Sequence, residues 1–438
     1  MSMNLESFWM PFTNNRAYKK QPRLFASAQG LYYKDETGRP IMDGGSGLWC
    51  VNAGHGNAKI TAAITEQLQE LDYAPCFGMG HPLAFKAADA LADIAPKGLN
   101  RVFFTNSGSE SADTALKIAL AYHVAKGDSR RSGFIGREKG YHGVNFGGTA
   151  VGGIVGNRKA FSQQSLPFVT HIRSTYDLEH NAFSKGLPAY GAHWADELES
   201  RVFTLHDPST IAALIVEPMS GSAGVILPPQ GYLQKLRELC TKHGILLIFD
   251  EVITGFGRTG GDWASNVFGV IPDMVTCAKG LTNGVVPMGA VLVRQDIHDT
   301  VINAAPERAI EFAHGYTYSA HPLACAAAIA AIDVYKNDGL FERAGQMSPH
   351  MEARAHALKG LPGVIDIRNV GMVVGIEMAP SAEGVGVRAQ AVFAECWKQG
   401  LFVRVTGDTL AIAPPMIITE AEIEELFRIM ANAIEKTA

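Results

Sequence analysis

Three short apolar runs, each followed by one reactive residue, constrain the fold of this chain most strongly. Ile211–Val216 leads into Glu217, Gly244–Phe249 into Asp250, and Asp273–Ala278 into Lys279. Apolar runs of this length are typical of strands that are buried on both faces of a parallel sheet. Because ligands gather at the carboxyl ends of such strands, we expect the three reactive residues to share one pocket.

An acid and a lysine in one pocket indicate a particular cofactor. Pyridoxal phosphate needs a lysine for its aldehyde and an acid for its ring nitrogen. The alternative is a structural ion pair between Asp250 and Lys279, but burying two charges only for structure is costly. We therefore expect Asp250 and Lys279 to be the catalytic residues.

Composition excludes several other classes of function. The chain has 438 residues, enough for two domains, and a net charge of −5, which gives no reason to expect nucleic acid or membrane partners. Its six cysteines are scattered without metal-ligand spacing, so we expect reduced thiols and no metal site. Met1 to Phe12 has no apolar core and is not expected to be a signal peptide, which favours a cytoplasmic protein.

A Ser-Gly-Ser turn lies between a predicted strand and a predicted helix. Ser107, Gly108 and Ser109 follow the apolar run at Arg101–Thr105 and precede a helical pattern over Ser111–Val124. Backbone N–H groups at such a helix start can bind a phosphate. The alternative is an ordinary helix cap, and the residues alone leave both interpretations open.

Two aromatic positions lie among glycines. Tyr141 or His142, between Gly140 and Gly143, can stack on a planar cofactor, although a simple turn is the more common outcome. An isolated tryptophan is more often part of the core than of a ligand pocket, but Trp49 lies in a glycine-rich loop where little else can bury it, which shifts the expectation towards a pocket wall.

The changes in pattern along the chain predict two domains. We expect residues 57–325 to form a large cofactor-binding domain around the sheet. Residues 1–56 and 326–438 are expected to form a smaller α+β domain, so that the chain starts and finishes in the same unit. The sequence Thr419-Glu-Ala-Glu predicts a capping box before the last helix.

At this point the motifs resemble those of a known family, the class III pyridoxal-phosphate-dependent aminotransferases. The shared motifs, in chain order, are Ser107-Gly-Ser-Glu, Tyr141-His-Gly, Glu217-Pro, Asp250-Glu-Val-Ile-Thr-Gly-Phe-Gly-Arg-Thr-Gly, Ala278-Lys279-Gly and Gly315-Tyr-Thr-Tyr-Ser. The resemblance runs from about Phe8 to the last helix. It implies an α/β fold like that of aspartate aminotransferase (fold type I), with a large, mostly parallel sheet and a smaller α+β domain.

The resemblance also implies roles for the motif residues. Lys279 is the residue that binds the cofactor's aldehyde, and Asp250 pairs with its ring nitrogen. The remaining cofactor-binding residues are expected to be Ser107, Gly108, Ser109, Tyr141, His142, Glu217, Val252 and Thr317. Among them, Thr317 is expected to reach the phosphate of a neighbouring subunit, which implies a homodimer or a homotetramer with shared sites.

Within the class, the segments around Trp49, Phe312 and Arg404 resemble ω-amino acid:pyruvate (β-alanine:pyruvate) aminotransferases. This implies that Arg404 receives a substrate carboxylate, whereas the residues alone favour a surface arginine on a strand edge. Trp49, Phe12 and Phe77 are expected to be apolar walls, with Phe77 donated across the dimer. The partners implied are amines or amino acids and pyruvate.

One departure and several alternatives remain. Class III enzymes that act on 4-aminobutyrate or ornithine often have a glutamate where this chain has Ser222, which favours pyruvate over 2-oxoglutarate as acceptor. The alternatives are a 4-aminobutyrate or diamine aminotransferase, an aminomutase or a decarboxylase on the same scaffold. A binding or structural protein that has lost the chemistry is disfavoured by the presence of Lys279 together with Asp250.

Overall fold

The structure is a computed structural model that describes residues 4–161 and 166–438. The first three residues of the segment Met1 to Phe12, which is not expected to be a signal peptide, lie outside the described residues. The strands in chain order are β1 Phe25–Gln29, β2 Tyr32–Asp35, β3 Pro40–Asp43, β4 Arg101–Thr105, β5 Gly133–Arg137, β6 Val169–Ile172, β7 Ile211–Val216, β8 Leu246–Asp250, β9 Met274–Cys277, β10 Gly289–Val293, β11 Val364–Val370, β12 Val373–Met378, β13 Leu401–Phe402, β14 Arg404–Thr406 and β15 Thr409–Ile412.

The helices and helical turns surround these strands. In chain order they are α1 Asn15–Lys20, α2 Ser46–Trp49, α3 Ala58–Glu70, α4 Pro82–Ile94, α5 Gly108–Ala125, α6 Phe146–Val151, α7 Val155–Arg158, α8 Leu178–Asn181, α9 Phe203–Leu205, α10 Tyr232–His243, α11 Ala264–Val267, α12 Gln295–Ala304, α13 Pro322–Asn337, α14 Leu340–His356, α15 Val387–Lys398 and α16 Glu420–Lys436. None of the described helices is both long and apolar enough to cross a membrane.

The central sheet has seven strands in the order β4-β10-β9-β8-β7-β5-β6. Strands β6, β5, β7, β8 and β9 pair in parallel, and β10 is antiparallel to both of its neighbours. Every residue of β7, β8 and β9 is buried, as their apolar runs predict. The expected α/β class with a large, mostly parallel sheet is confirmed.

The boundaries of the reactive strands differ slightly from the prediction. Strand β8 begins at Leu246 because Gly244 is the left-handed cap of α10, with a φ of +67°. Strand β9 ends at Cys277, and Lys279 begins a short 3₁₀ turn with a φ of +48°. Lys279 therefore projects from a tight turn just beyond the sheet edge.

Two smaller sheets lie beside the central one. Their strand orders are β1-β2-β3-β13 and β11-β12-β15-β14, with α14, α15 and α16 packed nearby. Strand β13 pairs in parallel with β3, with Leu401 opposite Met42, so the two ends of the chain share a sheet. The predicted capping box is present, with Thr419 and Glu422 bonded reciprocally. The domain limits at residues 56 and 325 stay a prediction.

Candidate active site

The ends of three neighbouring strands meet at one cavity of about 130 Å³. It is lined by Gly108, Ser109, Tyr141, Gly143, Glu217, Asp250, Val252, Ile253, Ala278 and Lys279. Strands β7, β8 and β9 are adjacent and parallel, so the residues that end or follow them lie at one edge of the sheet. The structure therefore brings together the three residues that the apolar runs point to.

Lys279 lies half-buried on the cavity wall. Burial lowers the pKa of its ammonium group, and the positive charge of Arg404 acts in the same direction. The negative charges of Asp250 and Glu217 oppose this shift only in part. Among the described residues no hydrogen-bond or ion-pair partner holds Nζ. The lowered pKa favours the neutral amine, the form that attacks an aldehyde or accepts a proton.

Asp250 is buried beside an equally buried histidine. His142 Nδ1 lies 2.8 Å from Asp250 Oδ2, and the Val252 amide donates to Oδ1 at 3.2 Å. With Asp250 ionised, the imidazole donates its Nδ1 proton to the carboxylate. His142 is absent from the cavity wall, so its place is behind Asp250 rather than flat against the cavity. The hydrogen bond between the two side chains fixes the orientation of the Asp250 carboxyl group at the cavity wall.

Glu217 is the second buried carboxyl group on the wall. The Tyr141 amide donates to Oε1 at 2.9 Å and the Gly221 amide to Oε2 at 3.2 Å. Burial raises its pKa to about 7, and the nearby Asp250 adds to the rise. Glu217 therefore changes charge near neutral pH while it holds the backbone on both sides of the cavity.

The start of helix α5 forms another side of the cavity. Gly108 and Ser109 are on the wall, whereas Ser107 is the N-cap and accepts a hydrogen bond from the Glu110 amide. A Cβ on Gly108 would lie 2.9 Å from two carbons of Val252. The backbone at the helix start is thus kept bare and close to the cavity, which suits an anion.

The residues fit pyridoxal phosphate on this evidence. An anion-binding helix start, a lysine without a partner among the described residues and a buried carboxylate surround one cavity. The aromatic ring of Tyr141 and the aliphatic side chain of Val252, both on the cavity wall, supply the apolar surface that a planar ring needs. The fit follows from the chemistry of these side chains and from the absence of a Cβ at Gly108, which leaves the start of α5 open to the cavity.

Thr317 and Phe77 lie away from this cavity. Thr317 is exposed, and its carbonyl accepts a hydrogen bond from the Tyr73 hydroxyl at 3.1 Å. The Phe77 ring is 65% exposed and lies against Gly315, where an added Cβ would be 2.9 Å from it. Two residues that the resemblance assigns to a shared site therefore lie together on the surface of one chain.

The remaining substrate candidates are divided between core and surface. Trp49 is only 6% exposed, has a φ of +66° and ends the short helical turn α2, where the Gly45 and Gly47 amides donate to the Asp43 carboxylate. Arg404 begins strand β14, and its charge acts on Lys279. Phe12 is 75% exposed.

Sequence reasoning missed several residues at the site. Gly143, Ile253 and Ala278 line the cavity, but small or apolar residues carry no chemical signal of their own. The buried guanidinium of Arg137 donates to the Glu217 carbonyl at 2.6 Å and to Ser220 Oγ at 2.9 Å. Arg137 ends strand β5 next to β7. A charged residue at the end of a buried strand is the sequence feature that could have identified Arg137 as part of the site.

Known proteins resemble this chain over nearly its whole length. The sequence model of the family "Aminotransferase class-III" matches residues 13–434. The chain belongs to the class III aminotransferases. This family depends on pyridoxal phosphate, in agreement with the fit of the cavity residues.

Two relatives and one solved structure illustrate the match. An omega-aminotransferase of Caulobacter vibrioides is 53% identical over 97% of this chain and 96% of its own. A beta-alanine–pyruvate aminotransferase of Pseudomonas aeruginosa is 48% identical over 100% of this chain and 97% of its own. The omega transaminase of Pseudomonas jessenii, solved in complex with PMP, has a TM-score of 0.92 at 30% identity and covers 99% of this chain and 97% of its own.

Proposed function

We propose that this class III enzyme moves an amino group from an ω-amino acid such as β-alanine, or from a primary amine, to pyruvate. The products are alanine and an aldehyde, semialdehyde or ketone. One observation carries the proposal: Lys279 and Asp250 share a cavity wall, and the charge of Arg404 acts on that same lysine. The names of the relatives in C. vibrioides and P. aeruginosa support the substrate class.

Lys279 is proposed to handle both the cofactor and the proton. When bound, pyridoxal phosphate supplies the aldehyde that takes up the amino group and the ring that withdraws electrons from the reacting carbon. Nζ of Lys279, once free of the cofactor, would take the proton from the carbon that carries the amino group and pass it to the cofactor. In the second half of the cycle Nζ would move a proton in the opposite direction, to the former carbonyl carbon of the acceptor. Its lowered pKa suits a general acid–base group.

Asp250 and its neighbours are proposed to orient the cofactor. The His142 hydrogen bond fixes the Asp250 carboxylate, which would pair with the ring nitrogen of the cofactor. Tyr141 and Val252 would pack against the ring, and Glu217 lines the pocket. Gly108 and Ser109 hold the phosphate at the start of α5, with Ser107 shaping that turn as its cap.

Arg404 is proposed to select substrates that carry a carboxylate. A guanidinium makes two parallel hydrogen bonds to a carboxylate, as pyruvate or β-alanine requires. Among the described residues Arg404 has no ion-pair partner, so its side chain is available to a ligand. Ser222, where related enzymes often carry a glutamate, supports pyruvate rather than 2-oxoglutarate as acceptor. Trp49 is proposed as an apolar neighbour of this subsite.

The working form is proposed to be a homodimer or a pair of dimers. Thr317 and Phe77 are exposed on one surface, and the amino-terminal segment exposes Phe8, Trp9 and Phe12. A second copy of the chain would cover these apolar groups and add Thr317 and Phe77 to its neighbour's cavity. We keep the cytoplasm as the proposed location, since all six cysteines are free thiols, the form that a reducing compartment maintains.

The visible absorption spectrum of the purified protein tests this proposal. The band of the bound cofactor should fade on addition of β-alanine and return on addition of pyruvate, because the two half-reactions oppose each other. If the band is unchanged by β-alanine but fades with another amine, the amino donor belongs to a different class of amine. Absence of any band after pyridoxal phosphate is added would overturn the proposal.

A further inference from the structure

The strand that carries Arg404 is weakly supported within its own sheet. Strand β14 has three residues and lies at the edge of its sheet, where β15 is its sole neighbour among the described strands. Short edge strands tend to fray because one side of the backbone is unpaired. An arginine that must meet a carboxylate at a fixed place therefore needs support from outside the sheet.

That support comes from the hydroxyl group of Thr406. Its Oγ1 donates to the Ser222 carbonyl at 2.6 Å, and no other side-chain hydrogen bond joins β14 to the described residues. Thr406 and Arg404 are two residues apart on a regular strand, so they project to the same face. The face that presents Arg404 is thus the face that Thr406 attaches to the loop.

The loop that receives this bond is itself held tightly. Ser220 and Ile226 exchange two backbone hydrogen bonds at 2.9 and 3.0 Å. Val225 has a φ of +57°, which a β-branched residue adopts only when its surroundings force it. The buried guanidinium of Arg368 supplies that force, since it donates to the Gly224 carbonyl at 2.7 Å and to the Val225 carbonyl at 3.2 Å.

The same loop begins at the cavity wall. The Gly221 amide donates to Glu217 Oε2 at 3.2 Å, and an added Cβ on Gly221 would lie 2.9 Å from Ile253, another wall residue. A rigid loop thus joins the wall at Glu217 to the edge strand through Ser222 and Thr406. The Thr406 hydroxyl is the side-chain contact that ties β14 itself to this loop, whereas Arg368 links the loop to Thr409 on the neighbouring strand β15.

We propose that Thr406 is a specificity-determining positioning residue: its hydroxyl bond to the Ser222 carbonyl holds Arg404 where it can receive a substrate carboxylate. The inference rests on the proposed function of Arg404 and adds a residue that does not touch the substrate. Loss of the hydroxyl should weaken the binding of carboxylates and leave amines without a carboxylate unaffected.

The test compares three variants with the parent holoenzyme. Thr406→Val replaces the hydroxyl with a methyl group of similar size, and Thr406→Ser keeps the hydroxyl. Thr65→Val is the matched control, because Thr65 lies on the exposed face of α3 and bonds only to the Thr61 carbonyl in its own helix. Stopped-flow bleaching of the cofactor band gives the apparent dissociation constants of β-alanine and propylamine without an acceptor. Calorimetry gives the dissociation constant of propionate, which carries only the carboxylate.

Thr406→Val should raise the dissociation constants of β-alanine and propionate by about three- to tenfold, the range of one hydrogen bond. The dissociation constant of propylamine should change less than about twofold. In Thr406→Ser and Thr65→Val the dissociation constants of all three compounds should stay within about twofold of the parent values. Equal weakening of β-alanine and propylamine, or unchanged propionate binding, would overturn the inference, as would a parent that does not bind propionate. If the parent reacts with neither amine, the aminotransferase proposal fails, and propionate calorimetry still decides the role of Thr406.

Discussion

The cavity around Lys279 and the carboxylate subsite proposed at Arg404 differ in how their key residues are held. Lys279 and Asp250 lie at the ends of adjacent, fully buried strands, and their positions follow from the packing of the central sheet. Arg404 lies on a three-residue edge strand, and we propose that its position depends on a contact outside that sheet. With the proposed roles, the buried side would perform the same chemistry on every amine and the edge strand would select among substrates.

The strongest test of the buried side is Lys279→Ala. The variant should lose activity by more than about 10⁴-fold with every donor, because it lacks both the amine for the cofactor and the proton carrier. Steady-state rates with β-alanine and with propylamine measure the loss. Circular dichroism should show an unchanged fold. Turnover comparable to that of the parent with either donor would refute the role of Lys279 and with it the proposed division.

Asp250→Asn tests the carboxylate that is proposed to pair with the ring nitrogen of the cofactor. The change keeps the shape of the side chain but removes the negative charge, so the rate should fall by about 10²–10³-fold, as when one preorganised polar contact is lost. The loss should again be the same for both donors. A matched His142→Asn variant, which removes a contact to Asp250 but keeps the carboxylate, should show a smaller loss. An Asp250→Asn variant with normal rates would show that the carboxylate has no part in the chemistry.

Glu217→Gln sharpens the picture of the buried side through its pH dependence. Burial raises the pKa of Glu217 from 4.5 to about 7, so the folded parent binds the proton more tightly than the unfolded chain. Its contribution to stability is full below about pH 4.5 and is lost as the pH rises through 7. By this pKa shift, ionised Glu217 lowers the free energy of unfolding by about 3 kcal/mol relative to the protonated form.

Thermal unfolding of the apoprotein between pH 5 and 8 measures this effect. Glu217→Gln should unfold a few degrees above the parent at pH 8, because the buried charge is gone, and the two should converge near pH 5. Glu424→Gln is a control, since that carboxylate is exposed and paired only with Arg354 on the surface. A difference between parent and Glu217→Gln that does not vary with pH would show that the Glu217 carboxyl group does not titrate in the folded protein.

The same two regions show what the sequence could predict. The apolar runs before Glu217, Asp250 and Lys279 predicted strands and their meeting point, because burial on both faces leaves a simple pattern. The fold class followed from these runs and from the family motifs. The link between Thr406 and the Ser222 carbonyl left no pattern, since a backbone acceptor has no residue type and the two positions are far apart in the chain. The placement of His142 behind Asp250 likewise depends on tertiary packing.

Arg404→Ala tests the selective side, and its effect on activity should be smaller than those of Lys279→Ala and Asp250→Asn. Loss of a charge-assisted pair of hydrogen bonds should raise the KM for pyruvate roughly ten- to hundredfold. Bleaching of the cofactor band by propylamine alone should be unchanged, because that donor has no carboxylate. Arg404→Lys keeps the positive charge but cannot make two parallel hydrogen bonds to a carboxylate, so its KM for pyruvate should lie between those of the parent and of Arg404→Ala. If pyruvate and propylamine are affected equally, Arg404 stabilises the structure of the edge strand rather than binding substrate, and the contrast between a catalytic side and a selective side would no longer hold.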